Sequence, residues 1–186
     1  MYPHQLHNNR HIPDEVCCRL DKSKQLVEII LLKSEILQEV EADVQRIERM
    51  RKIEATPIIC NDSDYYDIAR DIDNAVGEVV QRCTAYLLLP SPFVHRISTN
   101  HIHDWEEKSI YLSLPHNWPP HDIEPLRNAI HGYIVKSVVL ELLSMAIPDD
   151  RYLPILVEKK ERDYNKVNAI ISARLGKTDL IQTPFG

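Results

Sequence analysis

Residues Ser23–Glu54 read SKQLVEIILLKSEILQEVEADVQRIERMRKIE, the longest regular stretch in the chain. Leu26, Ile29 or Ile30, Lys33, Leu37, Val40, Val44, Ile47, Met50 and Ile53 recur at spacings of three and four. That pattern predicts one continuous helix whose apolar stripe is broken only at Lys33. At the helical rise per residue it would be a rod of about 50 Å, longer than a small domain needs. Such a rod is expected to run past the rest of the fold or to pack on another subunit. Thr56-Pro57 ends it, since the residue before Pro is pushed out of the helical region.

Outward from this stretch the periodicity resumes. Asn61-Asp62-Ser63-Asp64 opens a second helix, with Asp62, Asp64 and Asp67 in the first turn where the helix dipole favours carboxylates. Its stripe runs through Ile68, Ile72, Val79 and Cys83, and Pro90 and Pro92 close it. Val94–Ser98 and Lys108–Leu114 have strand-like content, and Ile110, Leu112 and Leu114 alternate with Tyr111 and Ser113. With polar Thr99–Glu107 between them they predict a β-hairpin. Asp122 can cap a third helix with Pro125 in its first turn. This helix is apolar on most faces from Ile134 to Ile147 and should be the most buried. A fourth spans about Asp150–Leu175, with Gly176 at the usual left-handed cap position. The expected class is therefore mainly α: a four-helix bundle-like domain over residues 22–176 with a long first helix and a small β-hairpin insertion at about 93–118. A His-rich arm over residues 1–21 precedes it, and a tail over residues 177–186 follows.

Composition narrows the function classes. Of 186 residues, 22 are basic and 28 acidic, so 22 − 28 gives the net charge of −6. An acidic chain is poorly suited to wrapping nucleic acid through phosphate contacts. The acidity is concentrated between residues 55 and 150, which hold 6 basic and 14 acidic groups, while residues 151–186 hold 7 and 4. Only 4 glycines occur, and neither a G-x-G-x-x-G nor a P-loop pattern is present. Cys17, Cys18, Cys60 and Cys83 include no C-x-x-C, so reduced thiols in an intracellular protein are expected. Residues 1–10 lack the apolar core of a signal peptide, and the apolar runs are broken by Glu28, Lys136 and Glu141. A chain made in the cytoplasm without a membrane span is expected.

Candidate chemistry is sparse. His101 and His103, two apart, would point to one side of a strand, with Asp104, Glu106 or His116 as a third metal ligand. Polar residues at a hairpin tip explain the same spacing, and no metal or other cofactor is expected. The run Asp62, Asp64, Asp67, Asp71, Asp73 lacks the Gly and closing Glu of a calcium loop, and helix capping accounts for it. No G-x-S-x-G occurs, Ser137 and Ser144 fall where hydroxyls bond back to their own helix, and no nucleophile stands beside a base. No enzyme is expected. The tail is different: Leu180, Ile181, Pro184 and Phe185 in a polar segment read as a peptide that docks in a partner's groove.

The layout resembles a known family. W-E-E-K-S-I-Y-L-S-L-P-H-N-W-P (residues 105–119), A-I-H-G-Y-I-V-K-S-V-V-L-E-L-L (residues 129–143) and A-R-L-G-K-T-D-L-I-Q-T-P-F-G (residues 173–186) are similar to small head–tail connector proteins of tailed phages, of the Bacteroidetes phage and prophage type. The resemblance covers residues 60–186 and leaves the arm and first helix unmatched. It implies a structural protein of the virion neck, about twelve copies of which form a ring between portal and tail. DNA would pass through the channel without sequence-specific binding. Leu180, Ile181, Pro184 and Phe185 would contact the portal or other neck or tail proteins, and Ile110, Leu112 and Leu114 a neighbouring copy. The alternative is a cytoplasmic helical adaptor or regulator that dimerises through Leu26–Ile53.

Overall fold

The computed structural model describes residues 24–51, 58–59, 62–83, 86 and 106–172. In chain order these form β1 (Lys24–Leu32), α1 (Lys33–Arg51), α2 (Asp62–Arg82), β2 (Glu107–Pro115), a 3-10 turn (Pro120–Asp122), α3 (Ile123–Ala146) and α4 (Leu153–Ser172). The class is as expected: mainly α, four helices and one small antiparallel strand pair. What differs is which segment supplies the first strand.

Lys24–Leu32 is a strand, not the start of a helix. It pairs antiparallel with β2, with Val27 opposite Leu112 and Ile29 opposite Ile110. The apolar run satisfies both periods, because nearly every residue from Leu26 to Leu32 is aliphatic, and tertiary pairing decides between them. Val27, Ile29 and Leu31 alternate inward and are buried together with Ile110, Leu112 and Leu114. Polar groups secure the pair from the sides. Gln25 donates its side-chain amide to the carbonyls of Pro115 (3.1 Å) and Trp118 (2.5 Å). Arg127 donates Nε–H to the Ile30 carbonyl at 3.0 Å, and Ser109 donates its hydroxyl to Glu28 at 2.6 Å. The Lys33 amide donates to the Glu106 carbonyl (2.9 Å), carrying the ladder one step further.

The 50 Å rod is thereby corrected. Lys33, which interrupts the helical stripe, is where the strand becomes a helix, and α1 has 19 residues, about 28 Å. Its apolar residues Ile36, Val40, Val44 and Ile47 are buried within this chain.

α3 packs against β1, α1, α2 and α4. Leu126, Ile130, Tyr133, Ile134, Val138, Val139 and Leu143 are all buried. By length and composition alone it could cross a membrane, but in this fold those side chains are the shared core. Asp122 occupies the N-cap position, though its side chain makes no capping hydrogen bond. Pro148 follows the helix end, and Asp150 accepts the Tyr152 amide at 2.6 Å to turn the chain into α4. Gly132 lets α4 approach closely, since a methyl group there would meet Asp163 Oδ2 at 3.1 Å.

The arm over residues 1–21, the expected strand Val94–Ser98 and the tail over residues 177–186 lie outside the described residues.

A strand at residues 24–32 makes a period-two expectation that a helix would not. Ala substitution of Ile29 or Leu31 should cost about 2–4 kcal/mol in urea unfolding, and of Leu26 or Ile30 under about 1 kcal/mol. Ile134→Asp should leave no cooperative unfolding transition, because an unpaired carboxylate would stand at the centre of the bundle.

Candidate functional site

The polar chemistry of the described residues collects between α2, α3 and α4. On α2, Asp71, Asn74, Ala75 and Glu78 share one face at spacings of three and four. On α3, Ser137, Leu140 and Glu141 oppose them, and Lys160 reaches in from α4. Buried Tyr133 donates its hydroxyl to Glu78 at 2.7 Å, and Lys160 Nζ lies 3.7 Å from the same carboxylate. Burial pushes the Tyr133 phenol well above its usual range, and the bond to Glu78 adds to that.

Beside it Arg82 ties α2 to α4. Its guanidinium donates to both Glu161 oxygens at 3.1 and 3.2 Å. It also lies 4.5 Å from the Tyr164 ring centre and 5.4 Å from that of Tyr133. The hydrogen bonds to Glu161 hold it firmly charged. Further along α3, Lys136 bonds Asp163 Oδ2 at 2.5 Å and Lys166 bonds Oδ1 at 2.6 Å. Burial alone would raise the Asp163 carboxyl, yet these two ammonium groups hold it below the usual carboxylate range. At the α1 side of α3, nearly buried His131 places Nε2 3.2 Å from Glu39 Oε2, an ion pair when the imidazole is protonated.

Most of these charges are matched within the fold, and Asp71 is the exception. Its side chain is only 10% exposed, and among the described residues the one opposite charge in range is Arg70 Nε at 4.0 Å. Oδ2 has no hydrogen-bond partner among the described residues. Burial raises its carboxyl above the usual range; Arg70 opposes this, and Glu141 and Asp67 reinforce it. The rest of the acidic run scatters. Asp67 pairs with Arg70 at 3.0 Å, and Asp73 lies 3.8 Å from the nearly buried Lys108 of β2.

The sequence-derived candidates fare unevenly. His101 and His103 lie outside the described residues, as do Asp104, Leu180, Ile181, Pro184 and Phe185. Ile110, Leu112 and Leu114 are 1%, 0% and 0% exposed. In this chain they face its own core, and the outward positions of β2 are Ser109, Tyr111 and Ser113. Ser137 donates to the Tyr133 carbonyl (2.9 Å) and Ser144 to that of Glu141 (2.8 Å), as their helical positions suggest. Burial pushes the Cys83 thiol up to about 11, which makes it a poor nucleophile. Among the described residues no group of three or more His, Cys, Asp or Glu could hold a metal ion. Sequence reasoning missed the Asp71 site. Its only signal was an acid at an otherwise apolar spacing, three positions after Ile68 and four before Ala75.

Compared with known proteins, the chain matches no family model, no curated protein and no solved structure.

Two carboxylates in one bundle respond to pH in opposite senses. Asp163 is more acidic folded than unfolded, so its stabilisation is complete above the ordinary carboxylate pKa near 3.8 and is lost as pH falls through the lower folded value. Asp71 is less acidic folded, so whatever it contributes is present only below that pKa and is lost as pH rises through the folded value. At pH 7 Asp163→Ala should therefore lower stability by about 2 kcal/mol, leaving two ammonium groups without their acceptor. Asp71→Asn should leave the melting temperature unchanged or raise it. Thermal scans from pH 3 to 8 would check both.

Proposed function

We propose that the chain is a structural protein of the tailed-phage neck, a subunit that assembles with copies of itself into a ring between portal and tail through which DNA passes. The observation that carries the reading is the outward face of the β1–β2 pair. Leu26, Ile30 and Leu32 on β1 and Tyr111 on β2 are partly exposed on this face, where they stand among Glu28, Ser109 and Ser113. A two-stranded sheet has one face on its own core, and aliphatic residues set among polar ones on the second face suit contact with a neighbouring subunit. This face takes over the lateral contact that the sequence assigned to a long first helix.

The chain's charge is compatible with a channel. With a net charge of −6, concentrated between residues 55 and 150, a wall of such subunits would repel the DNA backbone and let it slide. The polar residues described above are engaged in holding helices together, which suits a building block better than a catalyst. The adaptor reading is less favoured, since a dimer made through Ile36, Val40, Val44 and Ile47 would compete with this chain's own core for the same side chains.

Light scattering and negative-stain imaging test the proposal. Purified protein, alone or added to portal, should give rings of about a dozen copies. Ile30→Lys should abolish rings while leaving the circular dichroism spectrum and monomer stability intact. Phe185→Ala should leave melting unchanged and weaken attachment to the portal. A stable dimer indifferent to portal, or rings unaffected by Ile30→Lys, would overturn the reading.

A further inference from the structure

Independently of any role in assembly, the space around Asp71 has the features of a binding site. Asp71, Asn74, Ala75 and Glu78 from α2, Ser137, Leu140 and Glu141 from α3, and Lys160 from α4 line a half-open pocket of about 240 Å³. Its charge is unbalanced by two, with three carboxylates against one ammonium. Lys160 and the Tyr133 hydroxyl already serve Glu78 at one end. The excess therefore lies at the other end, where Asp71 Oδ2 is buried without a hydrogen-bond partner among the described residues and Arg70 stands 4.0 Å from Oδ1.

Ser137 and Asn74 add further polar atoms there. The Ser137 proton is committed to the Tyr133 carbonyl, so its oxygen can only accept. Asn74 can offer its amide oxygen. Ala75 and Leu140 supply apolar wall between the polar ends. We propose that this cavity binds a primary alkylammonium group, its nitrogen donating to Asp71 Oδ2 with Asn74 and Ser137 as further acceptors, and its methylenes lying along Ala75 and Leu140. An ammonium is a donor-only cation, and it matches a carboxylate flanked by the Ser137 and Asn74 oxygens. A metal ion is a poorer match, because the acids present are not grouped as ligands. The group could come from a free short-chain amine or from a lysine side chain of another protein, and both present the same head and stem.

The test is an amide-resolved NMR titration of the intact protein at pH 7 with n-butylamine, 1,4-diaminobutane and N-acetyl-lysine amide, with magnesium chloride as the competing cation. Saturable shifts at Asn74, Ala75, Ser137 and Leu140 are expected with butylamine. Asp71→Asn should weaken that binding at least tenfold and Glu141→Gln several-fold, with both variants folded. Glu158→Gln, whose carboxylate pairs with Arg162 at 2.9 Å on the exposed side of α4, should bind as the parent does. Binding of N-acetyl-lysine amide as well as butylamine points to a protein lysine as the source, and binding of the free amines alone to a small molecule. Absence of saturable shifts at the lining residues overturns the proposal. So does equal binding by Asp71→Asn, equal weakening by Glu158→Gln, or stronger competition by magnesium than by the amines.

Discussion

The burial of α3 against α1, α2, α4 and β1 is the constraint on which the structure depends. Tyr133, Ile134, Val138, Val139 and Leu143 present apolar surface in several directions at once. A helix of that kind is stable in water only if neighbours cover each face. α1, α2, α4 and β1 are those neighbours, and each helix among them is amphipathic with its apolar side turned inward. The hub also explains why the polar residues are arranged as they are. Arg127, Lys136 and Tyr133 project from α3 at its margins, and each meets a partner on a different element: the Ile30 carbonyl, Asp163 and Glu78. Such links add orientation to a core whose burial is otherwise non-directional.

The small sheet is the second organising device. Residues 24–32 and 107–115 are far apart in sequence, and their pairing closes a long loop. That closure costs chain entropy, which grows only slowly with loop length and which burial of two apolar rows outweighs. One side of the sheet thus belongs to the core, while the other retains apolar residues at the surface. The proposed assembly face and the monomer core are the two sides of one strand pair.

Asp71 departs from the pattern of matched charges. A carboxylate held almost wholly out of water with an oxygen unpaired is costly to retain for packing alone, and it stands beside Glu141 with acceptors around it. Positions where a fold tolerates a local penalty are where sites are usually found. Asp163 is the instructive contrast. It is buried to a similar extent, yet two lysines complete it, and it serves only to join α3 to α4.

The sequence by itself determined the class, the helices from Leu37 onward, the dominance of the third helix, the alternating β2 strand and the back-bonded serines. These follow from local periodicity, turn residues and composition, which need no knowledge of neighbours. Only the tertiary structure decided the state of Lys24–Leu32, because a run of consecutive aliphatic residues fits a period of two as well as one of three and a half. Its strand state comes from Ile110, Leu112 and Leu114, whose apolar row needs a partner row some eighty positions away. The same dependence hid the Asp71 site. An acid on a helix is a solvated residue in sequence, and it becomes a poorly matched buried charge only when Glu141 of another helix is packed against it and its nearest cation among the described residues, Arg70, stands 4.0 Å away.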